Sequence, residues 1–174
     1  MTTISPQLIE DVIKFHGHKC PGVAIGIRAA EIALRDIGAH SIDEEVVLIT
    51  ETDMCGVDAI QVLTGCTFGK GNLRFLDYGK VAFSFYNRTT GKSLRMKINP
   101  SFTFNRENKE EGYQTILNCK LEDLFLVEHA NALTPKKARI VESFLCEKCS
   151  EKTMETKARL LEGKKYCIPC FENI

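Results

Sequence analysis

Two periodicities of apolar residues run along this chain, and the points where one gives way to the other mark out its elements. From Pro6 to Lys14 the residues Leu8, Ile9, Val12 and Ile13 recur at helical spacing, with Ser5 placed to cap and Pro6 at the first helical position. A longer run of the same kind covers Pro21 to Ile37, where Val23, Ile27, Ala30, Leu34 and Ile37 share a face and Gly38 marks the stop. Gly22 and Gly26 lie four apart on it, a spacing that suits close backbone packing first, or the approach of a ligand or dimer partner. Glu45 to Thr52 (EVVLITET) is apolar and β-branched, a buried strand. Asp53 is placed to cap a helix from Met54 to Leu63 that stops at Gly65. A glycine-rich loop, residues 65–72, follows. Two alternating stretches, Val81 to Asn87 and Ser93 to Asn99, then read as a hairpin. Beyond a turn region from Pro100 to Arg106, helices are predicted for Glu107 to Asn118 and Leu121 to Val127.

The pattern changes between residues 130 and 142. From there the chain is charged, punctuated by cysteine and poor in large apolar residues, which divides it into a core domain, 1–135, and a small domain, 136–174. Cys146-Glu-Lys-Cys149 and Cys167-Ile-Pro-Cys170 are two CxxC pairs separated by 17 residues. Each pair can turn both sulfurs toward one point, and two pairs make a closed tetrathiolate suited to structural zinc. A rubredoxin-type iron centre and redox disulfides are the competing chemistries. Between the pairs, Thr156 to Glu162 and Lys164 to Tyr166 form a predicted hairpin around Gly163. So short a segment cannot build an adequate core, and metal binding would supply much of its folding free energy.

Composition narrows the classes of function. With 44% apolar residues among 174, the chain can bury a core without staples, so its eight cysteines are not required for stability on that ground. Twenty-three basic and 23 acidic residues balance, which removes any global attraction to nucleic acid or anionic membrane. From Thr134 onward nine Lys/Arg face six Glu, a bias that permits nucleic-acid binding without indicating it. No basic n-region precedes an apolar run at the N-terminus, and no apolar stretch approaches the roughly 20 residues of a membrane helix. The expectation is a cytoplasmic protein with no membrane partner, whose cysteines serve as metal ligands or reactive thiols.

The densest chemistry lies in Phe15-His16-Gly17-His18-Lys19-Cys20-Pro21-Gly22. Cys20 precedes the first helical residue, where unpaired N–H groups and the helix dipole favour a thiolate, and cysteine is not a preferred cap. Cys55 repeats the arrangement after a buried strand. His18, Cys20 and Cys55 are the expected ligands of an open three-ligand site for zinc or another transition metal, with His16 beside them as a weaker candidate. Cys66 is also weaker, and Cys119 is read as structural. His40 and His129 are read as ordinary hydrogen-bonding histidines. The loop Gly65-Cys-Thr-Phe-Gly-Lys70-Gly71 is one residue short of a P-loop and has glycine where magnesium needs Ser or Thr, leaving Lys70 as a weak anion-binding candidate. Asp53 and Asp58 flank Cys55, and Asp58 is a candidate for orienting a ligand or moving a proton.

Taken together, FHGHKCPGVAIGIRA, ETDMCGVDAIQVLTGCTFGKGNL and CEKCSE with a later YCIPC resemble the formylmethanofuran dehydrogenase E-subunit family with its C-terminal zinc-ribbon module. The resemblance implies an α+β fold, a mixed helix and antiparallel-sheet core that pairs as a homodimer, with a zinc ribbon appended. It carries a core metal site over to His18, Cys20 and Cys55, with His16, Cys66 and Lys70 less closely matched. The family name implies molybdenum- or tungsten-dependent oxidoreductase chemistry in one-carbon metabolism. No segment here reads as a pterin-cofactor domain, so the expected role is accessory, beside a larger redox enzyme complex. The rival readings are a ribbon-bearing regulator that contacts nucleic acid or protein, and a metal-dependent hydrolase or lyase.

Overall fold

The computed structural model describes residues 1–129, 135–137 and 139–174, which form two compact units, Met1–Lys137 and Ala138–Ile174. The first is α+β. Helix α1 (Pro6–His16) is capped by the Ser5 hydroxyl, which accepts the Leu8 N–H, and ends on Gly17 in the left-handed region at φ 95°. Helix α2 (Pro21–Asp36) is the hub. Residues Val23 to Ala33 are all buried, so it is covered on every side.

Strand β1 (Val46–Thr50), helix α3 (Gly56–Thr64) and strand β2 (Leu73–Phe75) follow, then the hairpin β3 (Ala82–Asn87) and β4 (Ser93–Ile98). Helices α4 (Lys109–Asn118) and α5 (Leu121–Leu124) lead into β5 (Phe125–His129). The sheet runs β2-β1-β3-β4-β5, with β1 and β2 parallel and every other pairing antiparallel. Parallel neighbours need a crossover, and α3 supplies it. Phe83 and Phe85 on β3 and Leu94 and Met96 on β4 alternate inward and join the residues of α2 in one core cluster.

Two of the sequence assignments change. The stretch Leu121 to Val127 is helical only through Leu124, because Phe125 to His129 pair with β4 in the register Ile98↔Phe125 to Leu94↔His129. Sheet pairing overrides local helical preference there. Asp53 does not cap α3. Cys55 holds that position without a side-chain cap, and the Thr52 hydroxyl accepts the Met54 N–H. Strand β2, three residues long, lies in a segment without a strand signal of its own.

Inside this unit Arg28 and Glu31 form a buried ion pair at 2.5 Å. The Glu31 carboxylate also accepts from Thr2 Oγ1, Thr3 Oγ1 and the Thr3 N–H, each at 2.9 Å, while Arg28 donates to Cys119 O at 2.8 Å. The N-terminal strap is thereby tied to α2 by charge-assisted bonds. Arg74 and Arg88 donate to backbone carbonyls of Pro135 and Lys136, fixing that segment to the same unit.

The second unit holds two small antiparallel ladders, β6 (Ser143–Leu145) with β7 (Lys152–Met154) and β8 (Arg159–Leu161) with β9 (Lys164–Tyr166), and a short helix α6 (Ile168–Glu172). Glu162 and Gly163, at φ 50° and 76°, make the tight turn between β8 and β9.

Helices α2 and α3 cross where glycine is the only residue that fits. A Cβ on Gly26 would stand 2.1 Å from the carbonyl oxygen of Gly56 and 2.6 Å from its Cα. Gly26→Ala is therefore expected to cost about 3 kcal/mol, read as a lower urea midpoint. Gly69→Ala, where an added Cβ meets nothing within 4 Å, is expected to stay within about 0.5 kcal/mol of the parent.

Candidate metal centre

The end of α1 and the starts of α2 and α3 converge on one point. His16 is the last residue of α1, Cys20 the residue before α2 and Cys55 the residue before α3. One ligand atom from each lies within 4.8 Å of the others, and His16 Nε2 stands 3.9 Å from Cys20 Sγ. On its other side, His16 Nδ1 meets Asp58 Oδ2 at 2.8 Å. With the proton on Nδ1 and shared with the carboxylate, Nε2 presents its lone pair toward the thiols. Asp58 stands in the first turn of α3, three residues after Cys55, so one helix start delivers both a thiol and the group that aims the imidazole.

This arrangement differs from the expected ligand set in one residue. An extended backbone through His16 and His18 would put both imidazoles on one face, but α1 continues to His16 and Gly17 then turns the backbone in the left-handed region. That turn leaves His18 exposed, its ring tilted 42° to that of His16 with the centroids 4.5 Å apart, and His18 does not join the two thiols. Cys20 is buried and Cys55 half-buried. Burial, followed by the neighbouring Cys20 sulfur, raises the Cys55 thiol above its ordinary range, outweighing the helix-terminal pull toward thiolate.

The weaker candidates stand elsewhere. Cys66 is fully buried, donates to Val46 O at 3.5 Å, and is pushed up to about 11 by burial, the character of an inert core thiol. Lys70 spends its ammonium on the carbonyls of Ser41, at 2.8 Å, and Ile42, at 3.4 Å. The glycine-rich loop is held inside by Asn72, whose amide donates to Val46 O at 2.9 Å and accepts the Thr67 N–H at 2.9 Å. The loop is thus tied by internal hydrogen bonds to the segment that leads into β1. Cys119 donates to Ile116 O, and His40 meets Leu63 O at 3.0 Å. Asp58, a candidate from its place beside Cys55, stands one turn into the helix that starts there and holds His16.

In the second unit Cys146, Cys149, Cys167 and Cys170 bring four sulfurs within 4.8 Å of one another. Each pair opens directly after a strand, β6 or β9, and Ser150 at φ 61° turns the chain out of the first knuckle. The Glu147 N–H donates to Lys165 O, joining that knuckle to β9. Among the described residues of this unit, Cys146 and Cys167 are the buried apolar side chains, so the sulfurs themselves are its core. Backbone N–H groups of Cys149, Cys167 and Lys148 draw the Cys146 thiol down to about 6, while hydrogen bonding with Cys167 helps push Cys170 up to about 12. All eight cysteines are free thiols, and both clusters could hold a metal.

Comparison with known proteins adds three likenesses. The family model described as "FmdE, Molybdenum formylmethanofuran dehydrogenase operon" matches residues 15–161. A protein of Archaeoglobus fulgidus named a probable S-adenosyl-L-methionine-binding protein is 32% identical over 188 residues, covering 90% of this chain and 50% of the relative. The chain thus spans about half the length of that relative. A crystal structure of a protein from Syntrophus aciditrophicus, described as like the E subunit (FmdE) of a tungsten formylmethanofuran dehydrogenase, is similar with a TM-score of 0.72 at 26% identity, covering 96% of this chain and 91% of that one. Among the described residues no helix is long and apolar enough to cross a membrane.

Thiol ligands bind metal as thiolates, so binding at the four-cysteine cluster must release protons. Cys146 is held low, so its thiolate is present above about 6 and lost as pH falls through that value. Bound zinc competes with those protons, so zinc loaded at neutral pH is expected to stay through about 6 and to leave in a steep, multi-proton step at lower pH, measured with a colorimetric zinc indicator.

Proposed function

The chain belongs to the FmdE family, and on that premise we propose that it is a metal-handling accessory protein of a metal-dependent redox or one-carbon pathway. Its core centre takes zinc or another transition metal on His16, Cys20 and Cys55, and its ribbon takes a structural zinc on Cys146, Cys149, Cys167 and Cys170. The observation that carries this reading is the orientation of His16, whose Nδ1 is held by Asp58 at 2.8 Å while Nε2 faces Cys20. A histidine fixed in this way by a carboxylate is the arrangement that metal ligands use, since it sets the tautomer and raises the basicity of the ligating nitrogen.

The donor set fits the ion. Zinc bonds to nitrogen at about 2.0–2.1 Å and to sulfur at about 2.3 Å, so atoms within 4.8 Å of one another need only a small inward movement of side chains. Three protein ligands leave one position open, the pattern of sites that bind a further group. When bound, the metal would supply Lewis-acid character at that position. Cys20 and Cys55 would bring negative charge, and Asp58 would keep the His16 proton on Nδ1. In the ribbon four sulfurs close the coordination sphere, which suits a structural ion and no further ligand. The pairing of two copies as a homodimer belongs to the same proposal and is carried by the family resemblance.

Metal content per chain tests the reading. Two metals per chain are expected by elemental analysis, falling to one in Cys20→Ser or Cys55→Ser with an unchanged circular dichroism spectrum. Asp58→Asn should keep the fold and weaken the core centre about 10- to 100-fold. A single metal in the parent, lost only in Cys146→Ser or Cys167→Ser, would sink the core assignment.

A further inference from the structure

Beside the metal centre lies a cavity of about 220 Å³, at the C-terminal ends of the parallel strands β1 and β2 and against the first turns of α3. Crevices outside the carboxyl ends of parallel strands are where sheets with helical crossovers place ligands. Its lining is largely apolar and includes Val57, Leu73, Phe68 and Phe75. Phe68 is 74% exposed and Phe75 40%. The Gln61 amide oxygen accepts the Phe68 N–H at 3.2 Å, tying the loop that carries this ring to α3.

Among the described residues, the ionisable groups of the lining are two carboxylates, Asp53 and Asp58, with neither Lys nor Arg beside them in it. No hydrogen bond or ion pair from the described residues reaches Asp53. Asp58 commits one oxygen to His16, which leaves the other for the cavity. Two carboxylates in one lining with exposed aromatic rings have a definite complement. The carboxylates favour a positive charge, and ring faces attract the same charge through their quadrupole. A volume below the roughly 300–1,000 Å³ of pockets that enclose drug-sized ligands calls for a small occupant.

We propose that this cavity binds a small organic cation, a primary ammonium carried on a flat apolar body. Asp53 and Asp58 hold the ammonium, and Phe68 and Phe75 cover the apolar part. Asp58 then serves two neighbours at once, the imidazole of the metal centre and the ligand in the cavity. The cavity's chemistry stands whether or not a metal occupies the centre.

Benzylamine is the probe, titrated calorimetrically into the full chain at low ionic strength, with benzyl alcohol and benzoate as its neutral and anionic counterparts. Benzylamine is expected to bind at least tenfold tighter than benzyl alcohol, and benzoate to give no binding. Asp53→Asn should weaken benzylamine at least tenfold while the core metal content stays at the parent level. Phe68→Ala, at an exposed ring, should weaken both benzylamine and benzyl alcohol. Equal binding of all three probes, no binding of benzylamine by the folded chain, or unchanged affinity in Asp53→Asn would overturn the inference. Metal analysis of the same samples keeps the two readings apart. Benzylamine binding by a chain without core metal supports the cavity and overturns the metal centre, whereas core metal without benzylamine binding overturns the cavity alone.

Discussion

The contact between α2 and α3 is the constraint on which the rest depends. Gly26 meets the backbone of Gly56 at a distance that admits no side chain, and a Cβ on Gly22 would stand 3.1 Å from Cys55 Cβ and 3.7 and 3.8 Å from the two sulfurs. Glycine is used here because it lets two backbones close on each other. The consequence reaches beyond packing. Since each helix has a cysteine at its start, pressing the two N-terminal ends together brings the thiols together. The meeting of the two thiols is a by-product of a helix crossing in which α2 is buried from Val23 to Ala33.

The two clusters of sulfur solve opposite problems. The ribbon lacks an apolar interior, and Cys146 and Cys167 are its buried apolar residues, so its sulfurs must organise the fold as well as any ion. The core unit has an apolar interior of its own, burying Phe83, Phe85, Ile27 and Ile60. Its three donors, brought together by helix ends, could hold a metal without also having to form the unit's interior. Burial, and then the neighbouring Cys20 sulfur, raise the Cys55 thiol, a state that the charge of a bound cation would reverse.

Asp58 joins the parts of the core site. It stands at the first turn of α3, orients His16 on one side and faces the cavity between β1, β2 and α3 on the other. The cavity owes its position to the one parallel pairing in an otherwise antiparallel sheet. Without the crossover through α3, the strand ends, the helix start and the carboxylate would not meet.

Much of this is legible in the chain alone. The α+β character, the helices at Pro6, Pro21 and Lys109, the central hairpin and the four-cysteine ribbon all follow from short-range patterns: caps, turns, periodicity and the spacing of CxxC pairs. These are local because the physics that sets them acts over a few residues. Which imidazole stands beside the two core thiols is not local. It turns on whether α1 ends at Lys14 or at His16, since two further helical residues and a left-handed Gly17 decide which imidazole turns inward. Strand β5 is hidden from local patterns because Phe125 to His129 is extended only by virtue of its pairing with β4. The same holds for Asp58, whose meaning lies in a contact 42 residues distant in sequence. Sequence by itself determined which residue types were available at each helix end. Tertiary structure decided which of them meet, because helix length, crossing distance and strand pairing are set by long-range packing that no local pattern encodes.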